Sequence, residues 1–346
     1  MTQTSKFFSL VLCFLISFLW TSIISDVEAQ VIIYVRSDGS IEPTDFGIIN
    51  LDNSTYIFTN DILGSIKIER SSITIDGKGY TLHGSGGGNG FYLYGITNVT
   101  IRKVNIENFY FGIRLEGNSS FNTICGNNIG GNNQYGVWFS ASDNNTFYHN
   151  NFVDNIEHVY MDTLCCNSTN VWDNGFEGNY WSNFSQVDLN RDGIGDAAHG
   201  VVFGNMDNFP LLGIYLELNA SYGTILSTVS NASINELEYF EYNSSIRIQV
   251  INEGSDQQFS FIRMRIPHSL IFGSYNVTVK DGNPHYWNYS LYDDGINRWI
   301  YFEYENTKNE MIIIPEYFHP EMLALVSLTF LLALLMRKLP NQNTRL

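Results

Sequence analysis

The feature that most constrains this chain is a repeat. Set out in three lines beginning at Val99, Asn122 and Asn145, the segment from Asn98 to Met161 aligns on itself. Ile101, Ile124 and Phe147 share one column, Asn105, Asn128 and Asn151 a second, and Ile106, Ile129 and Phe152 a third. Two more columns hold Ile113, Val137 and Val159, then Leu115, Phe139 and Met161. The step is 23 residues in the first three columns and 24 then 22 in the last two. A period of this length marks a solenoid, in which each coil buries its apolar side against the coils above and below. Runs such as Ile113-x-Leu115 and Val137-x-Phe139 have the two-residue period of strands, with Gly and Asn between them. A parallel β-helix is therefore expected. The Asn105, Asn128 and Asn151 column suits it, because Asn tolerates left-handed turns and stacked amides form hydrogen-bond ladders. A polar ligand-binding stripe is the other use for such a column.

The solenoid starts before its clearest copies. Ile75 stands 26 residues ahead of Ile101, and Gly90, Phe91 and Leu93 stand 22 ahead of Gly112, Ile113 and Leu115. The stretch 84–90 reads as a glycine-rich loop inserted in that coil, either a binding loop or a flexible insertion. From Ile214 the repeats stop. Tyr215–Leu218, Tyr222–Val229, Ile246–Ile251, Phe259–Ile266, Tyr275–Lys280 and Trp299–Tyr304 alternate as strands, with turns at 281–284 and 293–295. About 100 residues of this pattern predict a small β-sandwich. The fold class expected is all-β.

Both ends are apolar. Lys6, the apolar stretch from Phe7 to Ile24 and Val27-Glu28-Ala29 predict a secretory signal over residues 1–29. Met322 to Met336 carries no charge and is followed by Arg337 and Lys338, which predicts a transmembrane anchor over 315–338 and a cytoplasmic tail at 339–346. The expected organisation is a β-helix over 30–212 and a sandwich over 213–314, held outside the membrane. A net charge of −17 argues against nucleic acid and anionic lipid as partners. Export makes glycosylation a prospect for the eleven Asn-x-Ser/Thr sequons, at Asn53, Asn98, Asn118, Asn144, Asn167, Asn183, Asn219, Asn231, Asn243, Asn276 and Asn288. It also suits a disulfide between Cys125 and either Cys165 or Cys166.

Several motifs together resemble one family. Ile75-Asp76-Gly77-Lys78-Gly79-Tyr80-Thr81-Leu82, the repeat Asn122 to Ile129, Gly178-Asn179-Tyr180-Trp181-Ser182 and the closing run from Asp192 to Leu211 are similar to the NosD β-helix family. The resemblance spans about residues 40–212 and implies a right-handed parallel β-helix, export and a link to copper delivery. Related β-helix domains occur in carbohydrate-binding proteins and sugar hydrolases. Pro315-Glu316-Tyr317-Phe318 resembles the tails of archaeal surface proteins.

The residues themselves favour some chemistries over others. Copper calls for clustered His, Cys or Met, and His149, His158, Met161, Cys165 and Cys166 show no recurring metal spacing. A polysaccharide lyase or hydrolase needs carboxylates on neighbouring coils. Glu107 and Asp154 occupy comparable turns, and Asp76 stands near Lys78, but no catalytic set can be named. Asp188, Asn190, Asp192, Ile194 and Asp196 match the front of a calcium loop, with Gly193 for the sharp turn. Position twelve is His199 in place of Glu, so a weak structural Ca²⁺ site is the expectation, the alternative being a loop rich in Asx turns. Tyr110, Tyr135, Trp138 and Tyr160 are rings that stack on sugars or cover the solenoid. The leading expectation is a surface-anchored protein that binds a carbohydrate or envelope polymer, or serves as a structural component of the envelope.

Overall fold

A computed structural model describes residues 30–164, 167–221, 223–251, 259–271, 273–280, 282–306 and 310–315. Every named element among them is a β-strand. The predicted signal, the cytoplasmic tail, all of the predicted anchor beyond Pro315, Cys165 and Cys166 lie outside the described residues. Among the described residues no helix is long and apolar enough to cross a membrane.

Residues 55–161 make five coils, each passing through three parallel sheets. One short face stacks Thr55–Phe58, Thr74–Asp76, Thr100–Arg102, Thr123–Cys125 and Thr146–Tyr148. A second stacks Thr81–His83, Asn105–Glu107, Asn128–Gly130, Asn151–Val153 and Tyr180–Trp181, with Ile62 and Leu63 joining at its start. The long face runs from Val31–Val35 through the second half of Ile62–Ile68, then Asn89–Tyr94, Phe111–Glu116, Tyr135–Phe139 and Glu157–Met161. Predicted columns pair in register: Ile101 with Ile124 and Phe147, Ile106 with Ile129 and Phe152, Ile113 with Val137 and Val159. All of these side chains are buried in one apolar cluster.

The corners between faces are left-handed, and they too keep the 23-residue step. Asn98, Phe121 and Asn144 have φ of 56°, 58° and 59°, and Lys103, Gly126 and His149 have 55°, 65° and 57°. Asn108, Gly131 and Asp154 complete the third corner at 61°, 58° and 52°. A corner between strands turns its amides and carbonyls away from the sheet ladders, and buried backbone groups need partners. In the later coils, from Asn122, Asn127 and Asn132 on, three columns of buried asparagine supply them. Asn127 Nδ2 donates to the Ile101 carbonyl at 3.0 Å and to Asn150 Oδ1 at 3.0 Å, and Asn150 Oδ1 also accepts the Asn127 amide at 3.1 Å. Asn150 repeats the pattern with Ile124 and Asn179. Asn122 with Asn145 and Asn170, and Asn132 with Asn155, do the same at the other corners. The predicted Asn105, Asn128 and Asn151 column does form an amide ladder, but inside strands on the outer side, and none of its members takes a left-handed φ.

Two of the ladders, those through Asn170 and Asn179, end on a hairpin of His199–Val202 and Asn205–Asp207. Asn205 Oδ1 accepts from the Asn170 amide at 2.8 Å and Trp172 Nε1 at 3.2 Å. Asp207 Oδ2 accepts from the Asn179 amide at 2.8 Å and Trp181 Nε1 at 2.9 Å. The two indoles lie on the last coil, Trp172 against Phe147 at 4.2 Å and Trp181 against Phe152 at 4.3 Å. A side chain at Gly178 would collide with the Asp207 carboxylate, so the glycine is needed there.

The chain divides into two units. The first runs to Phe184 and takes Ala198–Asn208; the second takes Ser185–Ala197 and the chain from Phe209 on. The second unit pairs two antiparallel sheets, one of five strands and one of four, around one core of residues such as Ile248, Ile262, Val277, Ile300 and Ile313. Three strands go beyond the predicted set: Ser233–Phe240, Tyr286–Asp293 and Glu310–Pro315. The first two are sheet edges, where Glu236 and Glu238 face Arg247 across the pair and blur the apolar alternation. Glu310–Pro315 is central, but its run of isoleucines continues toward the apolar anchor segment and hides the period of two.

Replacing a buried rung of the ladder strands donors and acceptors, whereas Asn128 in the outer ladder is exposed to water. Asn150→Ala is expected to cost about 3 kcal/mol or more, and Asn128→Ala under about 1 kcal/mol, by chemical denaturation. Equal costs at the two positions would remove the ladder as the support of the corners.

Candidate functional site

Strand pairing places one outward side chain from each coil of the long face in a single column. Tyr34, Lys67, Tyr92, Arg114, Trp138 and Tyr160 are direct partners from strand to strand. With parallel strands about 4.8 Å apart, the column is roughly 24 Å long. Its neighbour holds Asn89, Phe111, Tyr135 and Glu157. The rings contact one another: Tyr135 stacks on Tyr160 at 4.6 Å and on Phe111 at 5.7 Å. The Arg114 guanidinium is 4.8 Å from the centre of Trp138 and 5.5 Å from that of Tyr92, within cation–π range of both. Arg114 also pairs with Glu116, which accepts a hydrogen bond from the Tyr92 hydroxyl at 3.3 Å. Arg114 Nε is shut off from water with no acceptor among the described residues.

Of the four rings singled out from sequence, Tyr135, Trp138 and Tyr160 lie on this face. Tyr110 stands at its margin, exposed, edge-on to Phe111 at 4.7 Å. Tyr34, Lys67, Tyr92, Phe111 and Arg114 complete the face and escaped the sequence reading. Steps of 22, 24 and 22 from Tyr92 through Arg114 and Trp138 to Tyr160 carried the signal, but the apolar columns beside them drew the alignment.

At the start of the column a cavity of about 320 Å³ opens among Tyr34, Ser65, Lys67, Gly88, Asn89 and Tyr92. The glycine-rich stretch 84–90 forms part of its wall. It is stitched to later coils: the Gly86 amide donates to the Asn108 carbonyl at 2.7 Å, Asn133 Nδ2 to the Gly86 carbonyl at 2.8 Å, and the Phe111 amide to the Gly88 carbonyl at 3.0 Å. A Cβ at Gly84 would meet Asn108 O at 2.3 Å, so the close passage requires glycine. Asn89 Oδ1 is inaccessible to water and has no hydrogen-bond partner among the described residues.

The carboxylates weighed for catalysis serve the scaffold. Glu107 pairs with His83 at 2.9 Å, while Asp154 occupies a left-handed corner. Asp76 is buried and takes Lys78 at 3.2 Å and Arg102 at 2.9 Å. Burial alone would raise the Asp76 pKa, but the Lys78 amide and the two cations outweigh it and hold it below the usual carboxylate value. The predicted calcium residues share one loop in the second unit. Asp188 accepts the amides of Asp192 at 3.0 Å and Gly193 at 2.8 Å, Asp192 accepts that of Ile194 at 2.8 Å, and Asp196 that of Leu189 at 2.8 Å. Asn190 Nδ2 donates to Asp192 at 3.2 Å, and the Asp192 carbonyl accepts from Arg263 at 2.8 Å. Burial raises the Asp188 pKa despite its two amides.

The two histidines considered for copper are committed separately. His149 lies against Glu177 at 2.8 Å, both buried. His158 Nδ1 accepts from Asn155 Nδ2 at 3.2 Å, and its Nε2 is 3.4 Å from the Ser182 hydroxyl. Among the described residues no three His, Cys, Asp or Glu side chains come together to hold a metal ion. Cys125 ends the strand Thr123–Cys125, and its proposed partners lie outside the described residues.

Residues 49–186 match the family model of the periplasmic copper-binding protein NosD, so this part of the chain is a NosD-like parallel β-helix. No curated protein matches the chain. Among solved structures, the Dettilon tailspike protein is similar at 8% identity with a TM-score of 0.24, over 72% of this chain and 64% of that one. The chain thus spans less than two thirds of that structure's length.

Burial, helped by nearby His199, lowers the His158 pKa to about 4. An unfolded histidine takes up its proton near 6.5, so His158 supports folding fully above that value and loses its contribution as the pH falls toward 4. The expected loss is about 3 kcal/mol between those limits. Melting of the full chain from pH 7 to pH 4 should show the fall, and His158→Phe should flatten it. An unchanged slope in the variant would assign the acid sensitivity elsewhere.

Proposed function

We propose that this is an exported protein, anchored in the membrane by its C-terminal segment, whose β-helix presents the long face to a carbohydrate or envelope polymer. The observation that carries the reading is the column of outward rings and cations, one per coil, from Tyr34 to Tyr160. Strand spacing repeats along the column at close to the length of one sugar unit in an extended chain. Aromatic faces take the C–H side of a sugar ring, while Arg114 and Lys67 donate to its oxygens. Rings already stacked on one another lose little freedom on binding, which favours a solid platform over a mobile loop. The signal and anchor motifs support display outside the cell. The family description speaks for copper, yet the buried pairing of His149 with Glu177 and the distinct partners of His158 give that reading less support here.

The test is a glycan array of envelope and plant or microbial polysaccharides, probed with the full chain, with product analysis of any polymer bound. Binding without cleavage is expected, and Trp138→Ala should weaken it about tenfold. Cleavage would replace the binding reading with an enzymatic one, and silence on every polymer would leave a structural envelope role. Calcium is a separate expectation, as a weak structural ion at Asp188, Asn190, Asp192, Ile194 and Asp196. Millimolar Ca²⁺ should raise the melting temperature of the wild-type chain and leave Asp188→Asn unmoved; a chelator-insensitive melt would count against the ion.

A further inference from the structure

The turns that lead into the short face beginning at Thr55 repeat an outward position as well as an inward one. Thr55, Thr74, Thr100, Thr123 and Thr146 open their strands as direct partners from coil to coil. Two residues ahead of them stand Asn53, Ser72, Asn98, Phe121 and Asn144, all exposed and all left-handed, with φ of 64°, 60°, 56°, 58° and 59°. In the first, third and fifth coils this residue is asparagine. The result is Asn53-Ser54-Thr55, Asn98-Val99-Thr100 and Asn144-Asn145-Thr146, each an acceptor sequence for N-linked glycosylation. Three of the eleven sequons thus share one column.

The side-chain nitrogen is outside the buried ladders in all three. In Asn144-Asn145-Thr146 the two asparagines part ways: Asn145 Nδ2 donates to the Ser119 carbonyl at 2.9 Å and to Asn170 Oδ1 at 3.1 Å, whereas Asn144 is exposed. Asn144 is held by its backbone instead, its amide donating to the Thr169 carbonyl at 2.8 Å. Asn53 Oδ1 accepts from Asn50 Nδ2 at 3.0 Å, an oxygen contact that leaves the nitrogen of Asn53 available. Asn98 Nδ2 reaches the Ser72 hydroxyl at 3.2 Å on the exposed side of the turn. Replacing one hydrogen on these nitrogens strands no buried group.

Alternation by coil also sets the spacing. Adjacent coils are about 4.8 Å apart, too close for two sugar chains side by side, and every second coil gives about 10 Å. Between Asn98 and Asn144 lies Phe121, 65% exposed and left-handed, a costly place for a bulky apolar ring. Sugars on either side would lay their C–H faces against it.

We propose that Asn53, Asn98 and Asn144 carry N-linked oligosaccharides, forming a ridge along one edge of the solenoid that covers Phe121. The donor is an oligosaccharide linked through phosphate to a membrane lipid. The amide Nδ2 bonds to the anomeric carbon and loses one proton, the bond from that carbon to the phosphate oxygen breaks, and the lipid phosphate leaves. The inference rests on the export part of the proposed function and is independent of polymer binding.

The experiment isolates the full-length chain from the cells that make it and maps its glycopeptides by mass spectrometry. Protease added to intact cells reports in parallel whether the chain is outside. Attached sugar is expected at Asn53, Asn98 and Asn144. Thr55→Ala, Thr100→Ala and Thr146→Ala should each remove one glycan while keeping the asparagine, and Thr100→Ser should retain it. Melting curves show that the variants fold, and hydroxyl-radical labelling of Phe121 should rise when Thr100→Ala and Thr146→Ala are combined. A chain reached by the protease but bare at these three positions, or modified only at other sequons, would overturn the ridge and leave export standing. A chain shielded from protease and bare would remove both. Labelling of Phe121 that does not change would overturn its cover.

Discussion

The later coils of the first unit depend on one interaction: an asparagine amide set inside each corner, from Asn122, Asn127 and Asn132 onward. A β-helix turns three times per coil, and each turn leaves backbone groups without a strand partner. In this chain the primary amide of one coil donates to a carbonyl of the coil before it and to the amide oxygen of the coil after it. Asparagine suits the role because it offers two donors and an acceptor on a short side chain. Aspartate there would lack the donors, and a longer glutamine would not fit the bend. Leaving the corners unsatisfied would cost more, coil by coil, than the apolar stacking between them could readily offset.

With the interior columns set by packing and the corners by amides, the outward positions of the strands are released from structural duty. The long face shows what the chain does with that freedom. It spends large rings there, at positions where water-facing polar residues would cost nothing in stability. Phe111, Tyr135 and Tyr160 cover one another and so shield part of their area from water. Trp138 and Tyr92 are instead bridged by Arg114, whose guanidinium lies between the two rings and is itself held by Glu116. A binding surface made in this way is pre-ordered, because its side chains are fixed by one another before any ligand arrives.

How much of this was legible follows from period and chemistry. The apolar columns were readable because a 23-residue step with β-branched and aromatic residues admits few other folds. The outward ring column was harder: Tyr92, Arg114, Trp138 and Tyr160 share a register but not a residue type, and pattern searches respond to type. The buried ladders are written at the same step, Asn122 to Asn145, Asn127 to Asn150 and Asn132 to Asn155, as the outer column Asn105, Asn128 and Asn151. From sequence alone, an asparagine inside a corner and one outside a strand are alike; only the burial of its neighbours separates them. The cavity beside Asn89 was least legible, since it joins Gln30, Ser65 and Gly88 from separate coils.

A solenoid must also stop, and the way this one stops accounts for the aromatic weight of its last coils. The last coil has no successor to cover it, so its core positions are filled with the largest flat side chains, Trp172 over Phe147 and Trp181 over Phe152. A buried indole brings an N–H that needs an acceptor. The same hairpin that ends two of the asparagine ladders supplies it, since Asn205 and Asp207 alternate along one strand and point to one side. Each therefore accepts from a ladder amide and an indole together, and a carboxylate or amide oxygen has lone pairs for both. Two ladders and two indoles thus end on two side chains, Asn205 and Asp207, and this accounts for the polar alternation of Asn205-Met206-Asp207 beyond the last repeat.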